Sequence, residues 1–285
     1  MMSRDPFEDL SLRELLRRYN ISLNQNLGQN FLHSREVLRQ IVQIANVNEA
    51  DTVIEVGAGA GTLTAELAQT GAEIVSLELD HKLEPLLRDR FASFANVRLR
   101  FEDALRADLG NIKQEGRPLK IVANIPYYIT TPLLEHFLLS CPDAACVVLT
   151  IQKEVAENLL KRAGKEYGPV NVLAHLQGAV SMEFIVPPHL FTPPPAVTSA
   201  VVSIKARGRS AEPEIRSFYR FVKTCFRQRR KTLLNNVKGL GQSSYEQIRQ
   251  YLQVSGIELS IRPEQISPEQ YLSLYKCLKK CLNKE

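Results

Sequence analysis

The tetrapeptide Asn124-Ile125-Pro126-Tyr127 directly follows the apolar run LKIVA at 119–123. Pro126 cannot donate to a sheet ladder, and an asparagine amide at the mouth of a buried strand needs partners where water is scarce. An amide oxygen beside an aromatic face suits work on a conjugated exocyclic amine such as adenine N6. That nitrogen is a poor nucleophile because its lone pair is delocalised into the ring. When the Asn124 oxygen and a backbone carbonyl accept its two hydrogens, the nitrogen pyramidalises and its lone pair localises. Tyr127 then stacks on the ring and holds N6 in line with an electrophile. The plainer reading is a strand-terminating turn with a packed tyrosine, and the surrounding residues decide between the two.

A second group lies upstream. EVGAGAGTLT (Glu55–Thr64) carries Gly57, Gly59 and Gly61 between an apolar strand and a helical stretch. Such glycines let the backbone turn tightly and approach a ligand, and the helix start offers free N–H groups. The spacing is GxGxG rather than the GxGxxG of dinucleotide folds, which counts against a nicotinamide cofactor. Glu78 ends the next strand, about twenty residues on, where such folds keep an acid for ribose hydroxyls. Asp80 competes for that role, but its position suits capping the following helix. Asp103 ends the third strand, where a carboxylate can accept from an adenine amine. With Asn124 after the fourth, these residues share one edge of the sheet and describe one ligand crevice.

The elements that must position them alternate along the chain. TVIEV (52–56), EIVSLEL (73–79), VRLRF (97–101), LKIVA (119–123) and ACVVLTI (145–151) read as strands. TLTAELAQT, KLEPLLRDRFASF and TPLLEHFLLS read as the helices between them, which predicts a parallel sheet wrapped by helices. EFIV (183–186) and AVVSIK (200–205) flank the proline-rich PPHLFTPPPAVTS and are expected as an antiparallel pair closing one sheet edge. Residues 10–50 read as helical, and the pattern after Glu214 is helical to the end. These patterns predict an N-terminal segment at 1–50, an α/β domain at 51–207 and an all-helical C-terminal domain at 208–285.

Bulk properties narrow the class. The chain has 285 residues, 44% hydrophobic and 24% charged, as expected of a soluble globular protein. It shows neither the apolar core of a signal peptide nor a run of the roughly 20 apolar residues that cross a bilayer, so no membrane association and a cytoplasmic location are expected. Five cysteines without a CxxC pair or histidine cluster predict no metal. Lys205–Lys238 holds eleven Lys/Arg against Glu212 and Glu214, a local +9 that leaves −4 for the rest of a chain whose total is +5. Such asymmetry points to a surface facing a polyanion. Arg227, Arg229, Arg230 and Lys231 lie within that segment as candidate phosphate contacts, against the plain reading of a solvated helix face.

In combination, LGQNFL (Leu27–Leu32), EVGAGAGTLT, NIPYYITTPLL, IQKEVAENL, FTPPPAVTSAVV and FRQRRKTLLNNV resemble the ribosomal RNA adenine N6-dimethyltransferases, from about residue 21 to the C-terminus. The resemblance implies a Rossmann-like, seven-stranded class I methyltransferase domain followed by a small all-helical domain. It implies S-adenosylmethionine as methyl donor, contacted at Asn30, Leu32, Gly57, Gly59, Glu78, Asp103 and Asn124. Asn124, Pro126, Tyr127 and Phe191 form the implied catalytic set, with Phe191 facing Tyr127 across the target base. Asn24, Gln25 and Asn26 stand where members usually carry a basic residue, a departure that touches one N-terminal RNA contact and not the chemistry.

Two branches of that family differ in target. Chain length, FTPPPAVTSAVV and RRKTLLNN look like the branch that dimethylates two adjacent adenosines in the 3′-terminal hairpin loop of small-subunit 16S rRNA during ribosome biogenesis. The implied partner is the small-subunit rRNA or its precursor particle, met by a monomer. The other branch modifies an adenosine of large-subunit 23S rRNA and confers antibiotic resistance. Three further readings compete: a protein glutamine-amide methyltransferase, a non-catalytic assembly factor retaining the fold, and a nicotinamide oxidoreductase. The basic segment and Phe191 speak against the first, intact donor positions against the second, and the glycine spacing against the third.

Overall fold

The computed structural model describes residues 5–23, 28–206 and 214–282. The chain divides into two compact units, Met1–Ala156 with Ala179–Arg207, and Glu157–Gly178 with Gly208–Glu285.

The first unit is built on β1 (Phe31–Leu32), β2 (Thr52–Val56), β3 (Glu73–Glu78), β4 (Val97–Phe101), β5 (Leu119–Asn124), β6 (Cys146–Gln152), β7 (Gly178–Val186), β8 (Phe191–Thr192) and β9 (Ser199–Ala206). Its helices are α1 (Leu12–Arg18), α2 (Arg35–Ile44), α3 (Thr62–Ala68), α4 (Glu84–Phe91) and α5 (Thr130–Ser140), and α6 (Lys153–Leu159) runs across the unit boundary. Seven strands form one sheet in the order β4-β3-β2-β5-β6-β9-β7. β2 pairs in parallel with β3 and β5, and β3–β4 and β5–β6 are also parallel, so the carboxyl ends of β2 to β6 share one edge. β9 returns antiparallel to β6, and β7 is the outermost strand.

Burial explains the strands. Every residue of β2 is buried, as a parallel strand covered on both faces requires. One cluster joins α2 and α3 to the sheet through Leu38, Ile41, Leu67, Val53, Ile74 and Val148. Another gathers Leu15, Leu16, Phe31, Leu83, Leu87 and Phe91. α2 shows the apolar stripe its sequence implies, and the Ser34 hydroxyl accepts the Val37 N–H at its start. The region 10–50 is not wholly helical, however. Phe31–Leu32 pairs antiparallel with Phe191–Thr192, a partner some 160 residues away that local pattern cannot reveal.

The second unit holds the end of α6, then α7 (Pro169–Gln177), α8 (Ile215–Cys225), α9 (Leu233–Val237), α10 (Gln242–Val254) and α11 (Pro268–Leu282). Apart from Gly178, where β7 begins, its described residues are helices and turns. Residues 157–178 belong here rather than with the sheet, which departs from a contiguous domain at 51–207. Tyr167 and Val172 are fully buried with Phe218, Val222, Leu233, Tyr271 and Leu274 in one core. The Gly164 N–H donates to the Glu264 carbonyl at 2.8 Å, Arg162 pairs with Glu269, and the Tyr167 and Phe226 rings meet edge-on at 5.9 Å. The expected boundary at 207–208 lies outside the described residues. Among the described residues, no helix is long and apolar enough to cross a membrane, and no group of His, Cys, Asp and Glu is arranged to hold a metal ion.

Candidate active site

Strand order reverses about β2: the chain builds β3 and β4 on one side of it, then β5 and β6 on the other. Ligands of open α/β sheets bind at such a switch point, beyond the strand carboxyl ends. A crevice opens there, lined by Gly28–Phe31, Val56, Gly57, Gly59, Leu77–Leu79, Glu102–Ala104 and Asn124–Ile129. Asn30, Gly57, Gly59, Glu78, Asp103, Asn124, Pro126 and Tyr127 therefore meet in one place. Leu32 and Phe191 do not line it. Leu32 is 1% exposed and Phe191 2%, both packed with Val201 in the sheet core. They stand opposite each other in the β1–β8 register. Leu27 and Asn24–Asn26 lie outside the described residues.

The glycine loop earns its composition at two positions. Gly57 has φ +80°, and a Cβ there would come within 3.3 Å of the Asn124 carbonyl oxygen. Gly59 has φ +57°, and a Cβ would sit 2.9 Å from the Phe31 ring. Left-handed backbone and close approach both favour a residue without a side chain.

Glu78 is buried at the end of β3. Its two oxygens accept the Gly59 and Asp80 N–H groups, each at 2.8 Å. Burial pushes its carboxyl above the usual range, and those N–H groups draw it partly back. A carboxylate holds about four lone-pair sites, so capacity remains for a ribose diol. Asp80 instead starts the 3-10 turn His81–Leu83, accepting the Lys82 N–H at 3.1 Å and the Gln29 amide at 2.8 Å. Asp103 accepts the Leu105 N–H at 2.9 Å and faces Arg106 at 3.6 Å.

Asn124 is oriented by a residue whose backbone role the sequence does not reveal. Its Nδ2 donates to the Asn30 carbonyl at 3.1 Å, which leaves Oδ1 as the acceptor of the amide. Asn30 is held in turn by its own side chain, which donates to the Gly28 carbonyl at 3.0 Å, and the Thr62 hydroxyl holds the Leu32 carbonyl at 2.8 Å. The Pro126 carbonyl accepts the Ile129 N–H at 3.2 Å and retains a second lone pair. Tyr127 is half-buried, and its hydroxyl lies 2.6 Å from the Ser199 hydroxyl. Burial raises the Tyr127 phenol, an effect only partly offset by Ser199, so it stays protonated at neutral pH and is no general base.

Two features lie beyond the motif reading. Tyr128, 57% exposed, borders the crevice beside Gly28, where a Cβ would meet its ring at 3.3 Å. Glu55, fully buried under the loop, accepts from the Thr64 and Ser76 hydroxyls, each at 2.6 Å through Oε2. Its Oε1 is buried without a hydrogen-bond partner. Burial pushes this carboxyl up to about 7, with the two hydroxyls opposing. Glu55 stands inside the glycine motif, yet nothing in its spacing announces a buried acid.

The basic segment of the second unit is a turn between α8 and α9 rather than a helix face. Asn236 fixes it, its Oδ1 accepting the Gln228 N–H at 2.7 Å and its Nδ2 donating to the Gln228 and Thr232 carbonyls, each at 3.1 Å. Arg227, Arg229, Arg230 and Lys231 are all exposed. Arg229 differs: its guanidinium donates to the Lys165 carbonyl and, at 2.9 Å, to the Tyr167 carbonyl. It ties residues 165–167 to the turn, so of the four candidate RNA contacts Arg229 alone also braces the backbone of its own unit.

The crevice thus offers a glycine cradle, a buried acid placed for a sugar diol, and an amide with its oxygen as acceptor. That set fits a nucleoside-bearing donor and an amine acceptor. Comparison with known proteins agrees. Ribosomal RNA small subunit methyltransferase A of Enterococcus faecalis is 37% identical over 278 residues, 94% of each chain. Its counterpart from Ligilactobacillus salivarius is 38% identical over the same shares. Among solved structures, a dimethyladenosine transferase from Plasmodium falciparum superposes with TM-score 0.71 at 22% identity, covering 88% of this chain and 98% of the other. The 23S rRNA methyltransferase ErmE gives 0.66 at 23%, covering 88% and 100%. At those identities the structures establish the fold alone. The sequence match to the ribosomal RNA adenine dimethylase family runs over residues 20–280 and takes in every element that builds the crevice. This chain belongs to that family of S-adenosylmethionine-dependent rRNA methyltransferases.

Proposed function

We propose that the protein dimethylates N6 of two adjacent adenosines in the 3′-terminal hairpin loop of small-subunit rRNA, acting as a monomer on a precursor of the small subunit in the cytoplasm. The fixed flip of Asn124 carries the chemical part of this reading. With Nδ2 committed to the Asn30 carbonyl, Oδ1 is left to accept from a substrate amine. The names of the two relatives support the small subunit over the large one.

S-adenosylmethionine supplies a methyl carbon already activated on a sulfonium, so no covalent nucleophile is needed. Gly57, Gly59 and Glu78 hold the nucleoside part of the donor, and Asp103 accepts from its adenine amine. Asn124 Oδ1 and the Pro126 carbonyl accept the hydrogens of the target N6 and localise its lone pair. These acceptors matter most as charge develops on nitrogen, which makes them preorganised electrostatic stabilisers. Tyr127 stacks on the base. Phe191, buried and paired with Leu32, backs the β1 segment next to Asn30 rather than offering an open face. A stacked adenosine cannot reach the crevice, so the target lies in a loop or leaves the stack. Arg227, Arg230 and Lys231 contact RNA phosphates.

The test is to incubate the protein with isotopically labelled donor and undermethylated small or large ribosomal subunits, then map the label along each rRNA. Label at two neighbouring adenosines of the small-subunit 3′ hairpin is the expected result. Label confined to large-subunit rRNA overturns the assignment of target.

A further inference from the structure

Ser199 opens β9 and is fully buried. Its hydroxyl meets that of Tyr127 at 2.6 Å, a side-chain tie between the NIPY turn and the strand that follows the proline-rich loop. Both ends of this tie are held. Ser199 stands opposite Gln152 in the β6–β9 register, and the Lys153 N–H donates to the adjacent Thr198 carbonyl at 2.9 Å. Tyr127 begins the 3-10 turn Tyr127–Ile129, and its carbonyl accepts the Thr130 hydroxyl at 3.1 Å. A ring anchored at its backbone and at its hydroxyl has little freedom in either side-chain torsion.

We propose that Ser199 is a positioning residue that sets the plane of Tyr127 against the target base, and that it governs the second methyl transfer more than the first. The inference rests on the adenine-amine reading above. In each transfer the N6 lone pair forms the bond to the methyl carbon. The sulfur keeps the electron pair of the bond that breaks, and one N6 proton passes to water. An unmodified amine offers two hydrogens, one each for Asn124 Oδ1 and the Pro126 carbonyl. N6-methyladenosine offers one. Half of the polar hold on the nitrogen is then gone, and the stacked face must supply the orientation that remains. Reaction rates respond steeply to misplacement, with about 1 Å costing up to about 10²-fold. A loosened Tyr127 is therefore tolerated by the first transfer and penalised in the second.

Ser199→Ala and Tyr127→Phe remove the same hydrogen bond from its two sides, the second without touching a fully buried position. Each variant and the double variant are given donor and undermethylated small subunits, and N6-methyladenosine and N6,N6-dimethyladenosine are counted after digestion. Calorimetric donor affinity and melting curves run alongside. The expected result is a rise of about three- to tenfold in the mono-to-dimethyl ratio in each single variant, the scale of one net hydrogen bond. The double variant matches either single one, and donor affinity stays at the wild-type value. Unchanged ratios in both single variants overturn the proposal, as do effects that add in the double. A lower donor affinity beside an unchanged ratio also overturns it, because Ser199 then acts on the crevice as a whole. Wild-type protein that leaves no methylated adenosine overturns the adenine-amine reading and the inference with it, a result distinct from any altered ratio.

Discussion

The crevice and the Arg227–Lys231 turn both gather polar side chains, and they hold them in opposite ways. In the crevice the backbone fixes the side chains: N–H groups of Gly59 and Asp80 clamp Glu78, and the Asn30 carbonyl sets the flip of Asn124. Each clamped group keeps acceptor capacity for a ligand. In the turn a side chain fixes the backbone, with Asn236 making three hydrogen bonds to Gln228 and Thr232, and the cations project from that frame. Clamped acceptors suit a reaction centre, where reorganisation during the step is costly. Long cations on a fixed frame suit phosphates, which bind by charge and tolerate variation in position. Arg229, exposed like its neighbours, adds hydrogen bonds to the Lys165 and Tyr167 carbonyls and so also braces the frame.

The sharpest way to break this comparison is Asn124→Ala. Removing one preorganised acceptor should lower the single-turnover rate about 10²–10³-fold while donor binding is retained. A wild-type rate in rapid-quench measurements would remove Asn124 from the chemistry. Glu78→Ala acts on the same edge but on binding. Losing hydrogen bonds to a charged group should weaken the donor by about 1.5–3 kcal/mol. Calorimetry showing unchanged affinity would leave the ribose without its proposed acceptor.

Glu55 sharpens the comparison through pH. Burial raises its carboxyl from 4.5 to about 7, so the folded state holds the proton more tightly than the unfolded state. This stabilisation is full below the unfolded value and is lost as pH rises through about 7. The slope is at most about 1.4 kcal/mol per pH unit. Glu55→Gln keeps a neutral side chain of the same size and should flatten the fall in melting temperature between pH 5 and 8. Parallel wild-type and variant profiles would show that Glu55 does not titrate there.

The smallest effects separate the cations. Arg229→Ala should cost about 1 kcal/mol of stability, one net hydrogen-bond equivalent, and leave the salt dependence of RNA affinity in place. Neutralising Arg230 and Lys231 should do the reverse, flattening the log–log salt slope by about 0.7–0.9 for each phosphate that is no longer paired. Equal behaviour of Arg229 and Arg230 in both assays would erase the distinction between strut and contact.

Legibility followed the same division. Glycine loop, Glu78, Asp103 and Asn124 were readable because a parallel sheet places every strand end on one edge, so position along the chain becomes position in space. Each of the seven strands left a short apolar run in the sequence, although the run for β7 covered only 183–186 of Gly178–Val186. What depended on distant partners was not. Phe31–Leu32 became a strand only because Phe191–Thr192 lies beside it, and Phe191 and Leu32, partners in that pairing, are both buried. Residues 157–178 joined the helical unit because Tyr167 fills its core, a contact with residues far along the chain that local sequence does not show. A run of like charges carries no register, so nothing in RQRRK distinguished Arg229 from its neighbours. The clamp of Asn124 by the Asn30 carbonyl was equally hidden, since a backbone atom leaves no mark in the sequence.

The central claim is that an adenine amine is the methyl acceptor, and the most direct measurement asks which atom gains the methyl. Small-subunit RNA treated with the protein and labelled donor is digested to nucleosides and resolved by mass spectrometry against synthetic standards. The label is expected in N6,N6-dimethyladenosine, with N6-methyladenosine as its transient precursor. Label on a ribose, on another base or on a ribosomal protein would contradict the account at its root.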